Sequence, residues 1–175
     1  MRSRLPSPLP FVVAAGLLLS GEAAGQTKGL ACSGVKVDSL PAGKGGGTPF
    51  SASAIEDLEF RVVFALAPPG QHVLRLRVLL PKGALYQEIA VPFSLDPRAT
   101  GATEAVLEGY PRPVPVRTLQ KTTDRKGTWW SVSATLPVAG TMVVENSLYG
   151  TWQVEAYLDR EKSPCTPPVS FDLAP

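Results

Sequence analysis

Histidine, cysteine and methionine are scarce in this sequence, and each scarcity argues against a class of site. The 175 residues include one histidine, two cysteines and two methionines. A copper electron-transfer site needs two histidines, a cysteine and usually a methionine, which this chain cannot supply. Acyl-transfer catalysis through a histidine base has only His72, which follows a Pro-Gly turn and is predicted to be a solvated turn residue. We therefore expect no metal, no cofactor and no catalytic residue.

The chain also lacks an excess of charge of either sign. It has 17 Lys and Arg against 15 Asp and Glu, a formal net charge of +2. Nucleic acids and anionic membrane surfaces attract strongly basic domains, so neither is expected as a partner. The acidic residues show no spacing that would pair two of them across a cleft, as a glycosidase requires. We expect them to be solvated charges on outer faces, although an enzyme with an unrecognised acid site stays an alternative.

The N-terminal segment 1–25 has the features of an export signal. Arg2 and Arg4 give a positive start, residues 11–19 are apolar, and the small residues 23–25 form a cleavage site. The apolar stretch is shorter than the roughly 20 residues that cross a bilayer, which argues against an uncleaved anchor. We predict a chain that starts at Gln26, resides in the periplasm or outside the cell, and has no transmembrane span after cleavage.

The sequence Leu30-Ala31-Cys32-Ser33 offers a second interpretation of the N-terminus, because it resembles the end of a bacterial lipidation box. A lipid on Cys32 would tether the protein to a membrane. The box prefers a larger aliphatic residue where Gly29 stands, and Lys28 separates the apolar segment from the cysteine. A lipid anchor through Cys32 is therefore an alternative to free export.

The two cysteines, Cys32 and Cys165, are expected to form one disulfide. In an oxidising compartment a pair of cysteines in an exported chain most simply forms one bridge. This bridge would tie the two ends of the domain together. A reactive thiol or a metal pair is disfavoured, because neither a histidine nor a third cysteine is near either residue in sequence.

Composition and periodicity predict an all-β fold. The chain has 18 prolines and 16 glycines, and it alternates apolar and polar residues in several short runs separated by turns. We predict a flexible segment over 26–53 and one domain over 54–175. The expected strands are 58–66, 73–80 and 85–95, which form a meander, then the hairpins 114–120 with 128–136 and 152–158 with 169–173. Pro92 indicates an edge strand, and residues 103–108 fit either a helical turn or a strand.

The C-terminal hairpin carries a resemblance to known modules. Residues 150–159, GTWQVEAYLD, followed by Phe171-Asp172-Leu173, resemble the closing strand pair of bacterial immunoglobulin-like and fibronectin type III-like modules, and residues 136–141 resemble the approach to it. The antibody pattern of two core cysteines around a tryptophan is absent. The resemblance implies a single antiparallel β-sandwich of about seven strands. Such modules mostly bind, space or support other domains.

Four residues form the candidate binding surface. On strand 128–136, Trp130 shares its parity with apolar residues, so Trp129 is expected on the solvent face, where it could contact a protein or stack on a sugar. The alternative is that a neighbouring loop such as 101–113 covers Trp129, or that Trp129 packs against Arg side chains. Tyr157, Arg75 and Arg77 also point outward by parity. The sequence thus favours a non-enzymatic protein-interaction or structural module of the cell envelope. The alternative is a carbohydrate-binding module, with a polysaccharide partner, that uses Trp129 with Tyr110 or Tyr157.

Overall fold

A computed structural model describes residues 32–41, 49–99, 101, 103–125 and 127–175. Over this part, the chain is built from strands and has one helical turn, which confirms the all-β class. The predicted signal 1–25 and the start at Gln26 lie outside the described residues. In chain order the elements are β1 (Gly34–Leu40), β2 (Phe50–Ser51), β3 (Asp57–Phe64), β4 (Gln71–Leu79), β5 (Leu85–Ser94), β6 (Glu104–Ala105), β7 (Val114–Pro115), β8 (Arg117–Thr118), β9 (Gln120–Asp124), β10 (Gly127–Pro137), α1 (Met142–Glu145), β11 (Gly150–Leu158) and β12 (Val169–Ala174).

Two larger sheets hold most of these strands. The four-stranded sheet has the order β1-β3-β10-β9, and the six-stranded sheet has the order β2-β12-β11-β4-β5-β8. Strands β6 and β7 form a separate pair. The pairings of β2 with β12 and of β5 with β8 are parallel. The expectation of purely antiparallel pairing is therefore wrong at these two sheet edges, where two-residue strands complete the sheet.

The two larger sheets pack face to face because their strands alternate in burial. In β3 the buried set is Leu58, Phe60, Val62 and Phe64, and β11 alternates in the same way. The Phe60 ring lies 5.8 Å from that of Phe171 in the opposite sheet, and the Phe64 ring lies 5.5 Å from that of Phe93. These pairs join the sheets in one core. The residues that alternate with the buried ones along each strand therefore face outward.

The alternation is interrupted in β5. Leu85, expected on the buried parity, is 49% exposed, whereas Tyr86 is half-buried with its ring 5.2 Å from that of Trp152. A register shift between Val78 and Leu79 places an extra residue on β5. This β-bulge turns Tyr86 toward the core and leaves Leu85 outside, since one inserted residue reverses the faces.

The predicted three-strand meander is also wrong. β4 and β5 form the expected hairpin, but β3 pairs with β1 and β10 in the other sheet. The Pro68-Pro69-Gly70 turn therefore carries the chain from one sheet to the other instead of closing a hairpin. Pro92 does lie on a strand that is an edge over most of its length, because β8 pairs only with Phe93 and Ser94 of β5.

The predicted hairpin of 114–120 with 128–136 is wrong in its first strand. Residues 114–115 pair with β6 and residues 117–118 pair with β5, whereas β10 pairs with β9, which begins at Gln120. Pro113 and Pro115 lack the N–H that a continuous ladder with β10 would need. β11 pairs with β12 as expected. Within residues 103–108, the chain forms the short strand β6. Strands β1 and β2 fall inside the segment predicted to be flexible and belong to the two larger sheets. The folded domain therefore begins before residue 54, because β1 covers the edge of β3.

Cys32 and Cys165 form the predicted disulfide, with a Cα–Cα distance of 5.2 Å and a sequence separation of 133. Cys32 precedes β1 of the four-stranded sheet. Cys165 lies in the loop after β11, where its N–H donates to the carbonyl of Ala156 at 2.8 Å. The bridge therefore links the two sheets. It also overturns the lipid anchor through Cys32, because lipid attachment would need the sulfur that the disulfide uses.

Removing the disulfide with the Cys32→Ser/Cys165→Ser double variant is expected to lower the free energy of unfolding by up to about 5 kcal/mol, because the loop it closes spans most of the chain. Urea denaturation of the oxidised protein and of the variant measures the difference. Wild type treated with reductant should behave like the variant. An unchanged midpoint in both would contradict a stabilising role for the bridge.

At Gly150, the first residue of β11, any side chain is expected to lower the stability of the fold. Its φ is +124°, and an added Cβ would lie 3.2 Å from Cγ of Pro81. The Gly150→Ala variant should lose about 1–3 kcal/mol of unfolding free energy because of the strained backbone. Gly34→Ala is the matched control, since a Cβ there meets nothing within 4 Å. Equal midpoints for the two variants in urea would refute this role of Gly150.

Candidate functional site

Three of the four predicted surface residues lie together on the outer face of the six-stranded sheet. Arg75 and Arg77 are on β4, and Tyr157 is on β11, directly opposite Arg75. All three are half-buried. Trp129 lies on β10 of the other sheet. Because the outer faces of two packed sheets point in opposite directions, the structure separates Trp129 from the other three.

Arg77 is held by its cross-strand neighbours. Its Nη1 lies 3.4 Å from Oε2 of Glu155 and 3.4 Å from the hydroxyl oxygen of Tyr157, and its guanidinium lies 5.8 Å from the centre of the Tyr157 ring. The Tyr157 hydroxyl donates to Oε2 of Glu155 at 2.8 Å. The hydrogen bond that Arg77 donates to the Tyr157 hydroxyl is the main cause that raises the pKa of Arg77; desolvation opposes it, and electrostatic interactions with Tyr157, Glu155 and Glu88 add smaller contributions. Arg77 is therefore a fixed cation.

Arg75, two residues away on the same face, has no such partner. Its Nε is buried and makes no hydrogen bond, and the guanidinium forms no ion pair with any described residue. The nearby carboxylate of Glu155 is bonded to Tyr157 and Arg77, and that of Asp159 to His72. A buried donor without an acceptor costs about 1–3 kcal/mol. Within the described part of the chain, Arg75 and Ser94 are thus the two side chains with a buried polar atom that makes no hydrogen bond.

Arg75 lies on the floor of a groove that runs between two loops. We call this the arginine groove; it consists of two adjoining cavities of about 1010 and 300 Å³ that share Arg75, Glu88, Arg160, Glu161 and Lys162. One wall is the segment 106–110, and the other is the segment 159–163. The combined size is that of a ligand site, not of a single ion.

The first wall is fixed to the edge of β5 through Tyr110. The N–H of Ala90, which points away from β4, donates to the Tyr110 hydroxyl at 2.9 Å. Val106 and Tyr110, on this wall, are 85% and 37% exposed, and Leu107 between them is half-buried. These three residues form an apolar shelf beside the groove floor.

The second wall is fixed by Asp159, which follows β11 with a φ of 53°. Its Oδ1 accepts from the N–H of Val73 at 2.9 Å, and its Oδ2 lies 2.8 Å from Nδ1 of His72. The other ring nitrogen of His72 lies 2.8 Å from the carbonyl oxygen of Pro69. The His72 side chain is only 18% exposed, so the prediction of a solvated turn residue is wrong: the imidazole joins the β3–β4 turn to the wall.

Trp129 is half-buried on the outer face of the four-stranded sheet, between two shallow hollows of about 460 and 360 Å³. The second hollow is lined by small polar side chains, among them Thr122 and Ser133, and by the charged residues Lys36, Glu59 and Arg61. Trp130 points to the core side, as predicted, and Lys121 lies over its ring with Nζ 5.5 Å from the centre. Trp129 is thus neither fully exposed nor covered by the 101–113 loop, which lies at the other sheet.

Comparison of the chain with protein-family models, curated proteins and solved structures found no match. Within the described ranges no three His, Cys, Asp or Glu side chains are grouped so that they could hold a metal ion. None of the helices in the described part is both long and apolar enough to cross a membrane.

Sequence reasoning found the floor of the groove and missed its walls. Strand parity alone places Arg75, Arg77 and Tyr157 outward. The contacts of Tyr110 and Asp159 depend on two loops that return to the sheet, and periodicity carries no signal for such loops. The only histidine of the sequence, His72, lies beside a Pro-Gly turn, but its partner Asp159 is 87 residues away in the chain.

Replacing Asp159 with alanine is expected to destabilise the protein by about 1–3 kcal/mol, because the Val73 N–H and the His72 ring both lose an acceptor. Amide hydrogen exchange should also accelerate at Val73. The control is Glu161→Ala, an exposed carboxylate on the same wall that should change stability by less than about 0.5 kcal/mol. Equal effects of the two substitutions would mean that Asp159 does not fix the wall.

Proposed function

We propose that this protein is an exported, non-enzymatic immunoglobulin-like β-sandwich that acts as a protein-interaction module of the cell envelope and contacts its partner through the arginine groove. The observation that carries the proposal is Arg75, a half-buried cation without a partner on the floor of a walled groove. A side chain that is costly to leave unsatisfied is retained most readily where a ligand completes its bonds. The disulfide fits an oxidising compartment.

Carbohydrate binding has less support than protein binding. A sugar platform needs aromatic rings with a free face on one surface. The Tyr157 ring is associated with Arg77, the Tyr110 hydroxyl is bonded to the edge of β5, and Trp129 is on the opposite side of the core. The three aromatic residues therefore form no common platform. The apolar shelf beside the groove instead resembles the mixed surface of a protein interface.

Chemical cross-linking and co-purification of the full tagged chain from its own host tests this function. The groove variant is Val106→Asp, which places a charge on the apolar shelf at a position that is 85% exposed and tolerates substitution. The matched control is Met142→Asp on α1, which is 61% exposed and lies outside the groove. Trp129→Ala tests the opposite sheet face.

We expect wild type, Met142→Asp and Trp129→Ala to recover the same protein, and Val106→Asp to recover roughly tenfold less of it, as for an interface residue worth more than 1 kcal/mol. Loss of the partner with Trp129→Ala alone would place the contact on the four-stranded sheet. If no protein is enriched with wild type, the proposed function is wrong.

A further inference from the structure

We infer that the arginine groove binds a peptide segment of the partner that carries a carboxylate, and that the guanidinium of Arg75 holds this carboxylate. The inference rests on the proposed function and assigns the chemistry of its ligand. A guanidinium presents its N–H groups in a planar fork that matches the two oxygens of a carboxylate. In the free protein, Nε of Arg75 makes no hydrogen bond, and no ion pair joins its guanidinium to a described residue.

The neighbours of Arg75 keep it available. Tyr157 is directly across the strand from Arg75, but its hydroxyl donates to Glu155 and accepts from Arg77, and no hydrogen bond joins it to Arg75. Arg77, two residues along β4, occupies the other side of the same Glu155 oxygen. Glu155 is thus bonded to other residues, as is Asp159. Glu88, Glu108 and Glu161 line the same groove and form no ion pair with Arg75. Arg77 and Tyr157 act as positioning residues that hold the floor of the groove.

The charge of the groove favours one carboxylate over a polyanion. Its lining has four basic and four acidic side chains. A polymer with a negative charge on every unit would meet Glu88, Glu108 and Glu161 as well as the arginines, and like charges in contact are unfavourable. A ligand that places one carboxylate on Arg75 and has neutral groups on either side of it avoids this repulsion.

The apolar shelf identifies the remainder of the ligand. Val106, Leu107 and Tyr110 expose apolar surface within the same groove whose floor carries Arg75. A peptide segment presents a carboxylate and apolar side chains within a few residues of each other. A uronic acid oligomer supplies the carboxylate but not the apolar groups. The cavity of about 1010 Å³ also has room for several residues.

Selection from a library of random heptapeptides displayed on phage, against the immobilised full chain, tests the inference. The best peptide and a version in which its Asp or Glu becomes the corresponding amide are then titrated against wild type, Arg75→Leu, Val106→Asp and Arg117→Leu. Arg117 is an exposed arginine on β8 outside the arginine groove and serves as the matched control. Oligogalacturonate is titrated as the competing class.

We expect the selected peptides to contain a carboxylate. The Kd should rise at least tenfold for Arg75→Leu and by a similar factor for the amide peptide, as for the loss of one charge-assisted hydrogen bond, while Arg117→Leu stays within about twofold of wild type. The Kd of the amide peptide should rise little further when Arg75→Leu replaces wild type, because the amide and the substitution each remove the same contact.

Three results would overturn the inference. In the first, peptides bind Arg75→Leu as tightly as wild type but bind Val106→Asp more weakly. The groove would then still be a protein-binding site, but the contact between Arg75 and a carboxylate would be refuted. Oligogalacturonate binding that depends on Arg75, without any enriched peptide, would assign the groove to a polysaccharide. Absence of binding by either probe would contradict both the inference and the proposed function.

Discussion

Burial of the inner faces of the two sheets against each other is the constraint from which the rest of the structure follows. Each strand commits alternate side chains to this core, as β3 does with Phe60 and Phe64, and the opposite parity must then face outward. The outer face of β4 therefore holds Arg75 and Arg77 because the inner face holds Leu74 and Leu76. The candidate site is the solvent side of the same alternation that forms the core.

The groove depends on loops fixed to that sheet at single points. Tyr110 bonds to the free edge of β5, which the neighbouring Pro92 and the short β8 leave largely unpaired. Asp159 bonds to the end of β4 and to His72. Each wall thus accepts hydrogen bonds from donors of the sheet, the N–H groups of Ala90 and Val73 and the His72 ring, that would otherwise bond to water. The disulfide holds the loop after β11 from the other side, at Cys165.

Strand periodicity predicted the fold class, the final hairpin and the outward direction of three site residues, because each depends on local alternation. It failed where a single residue or a long-range contact decides. The extra residue in β5 exchanges the faces on which the side chains of Leu85 and Tyr86 lie. The residues Pro68-Pro69-Gly70 indicate a turn, but they do not indicate whether the turn closes a hairpin or leads to the other sheet. The disulfide could be predicted because only two cysteines exist. That Arg77 is paired and Arg75 is not has no counterpart in the sequence.

A binding role of Arg75 implies that this residue contributes nothing to folding. The most direct test is the free energy of unfolding of Arg75→Leu, measured in urea beside Arg77→Leu. Leucine keeps the apolar volume of the arginine stem and removes the unsatisfied guanidinium, so we expect an unchanged or raised unfolding free energy for Arg75→Leu and a lowered one for Arg77→Leu. A loss of more than about 1 kcal/mol in Arg75→Leu would contradict the claim and identify Arg75 as a structural residue.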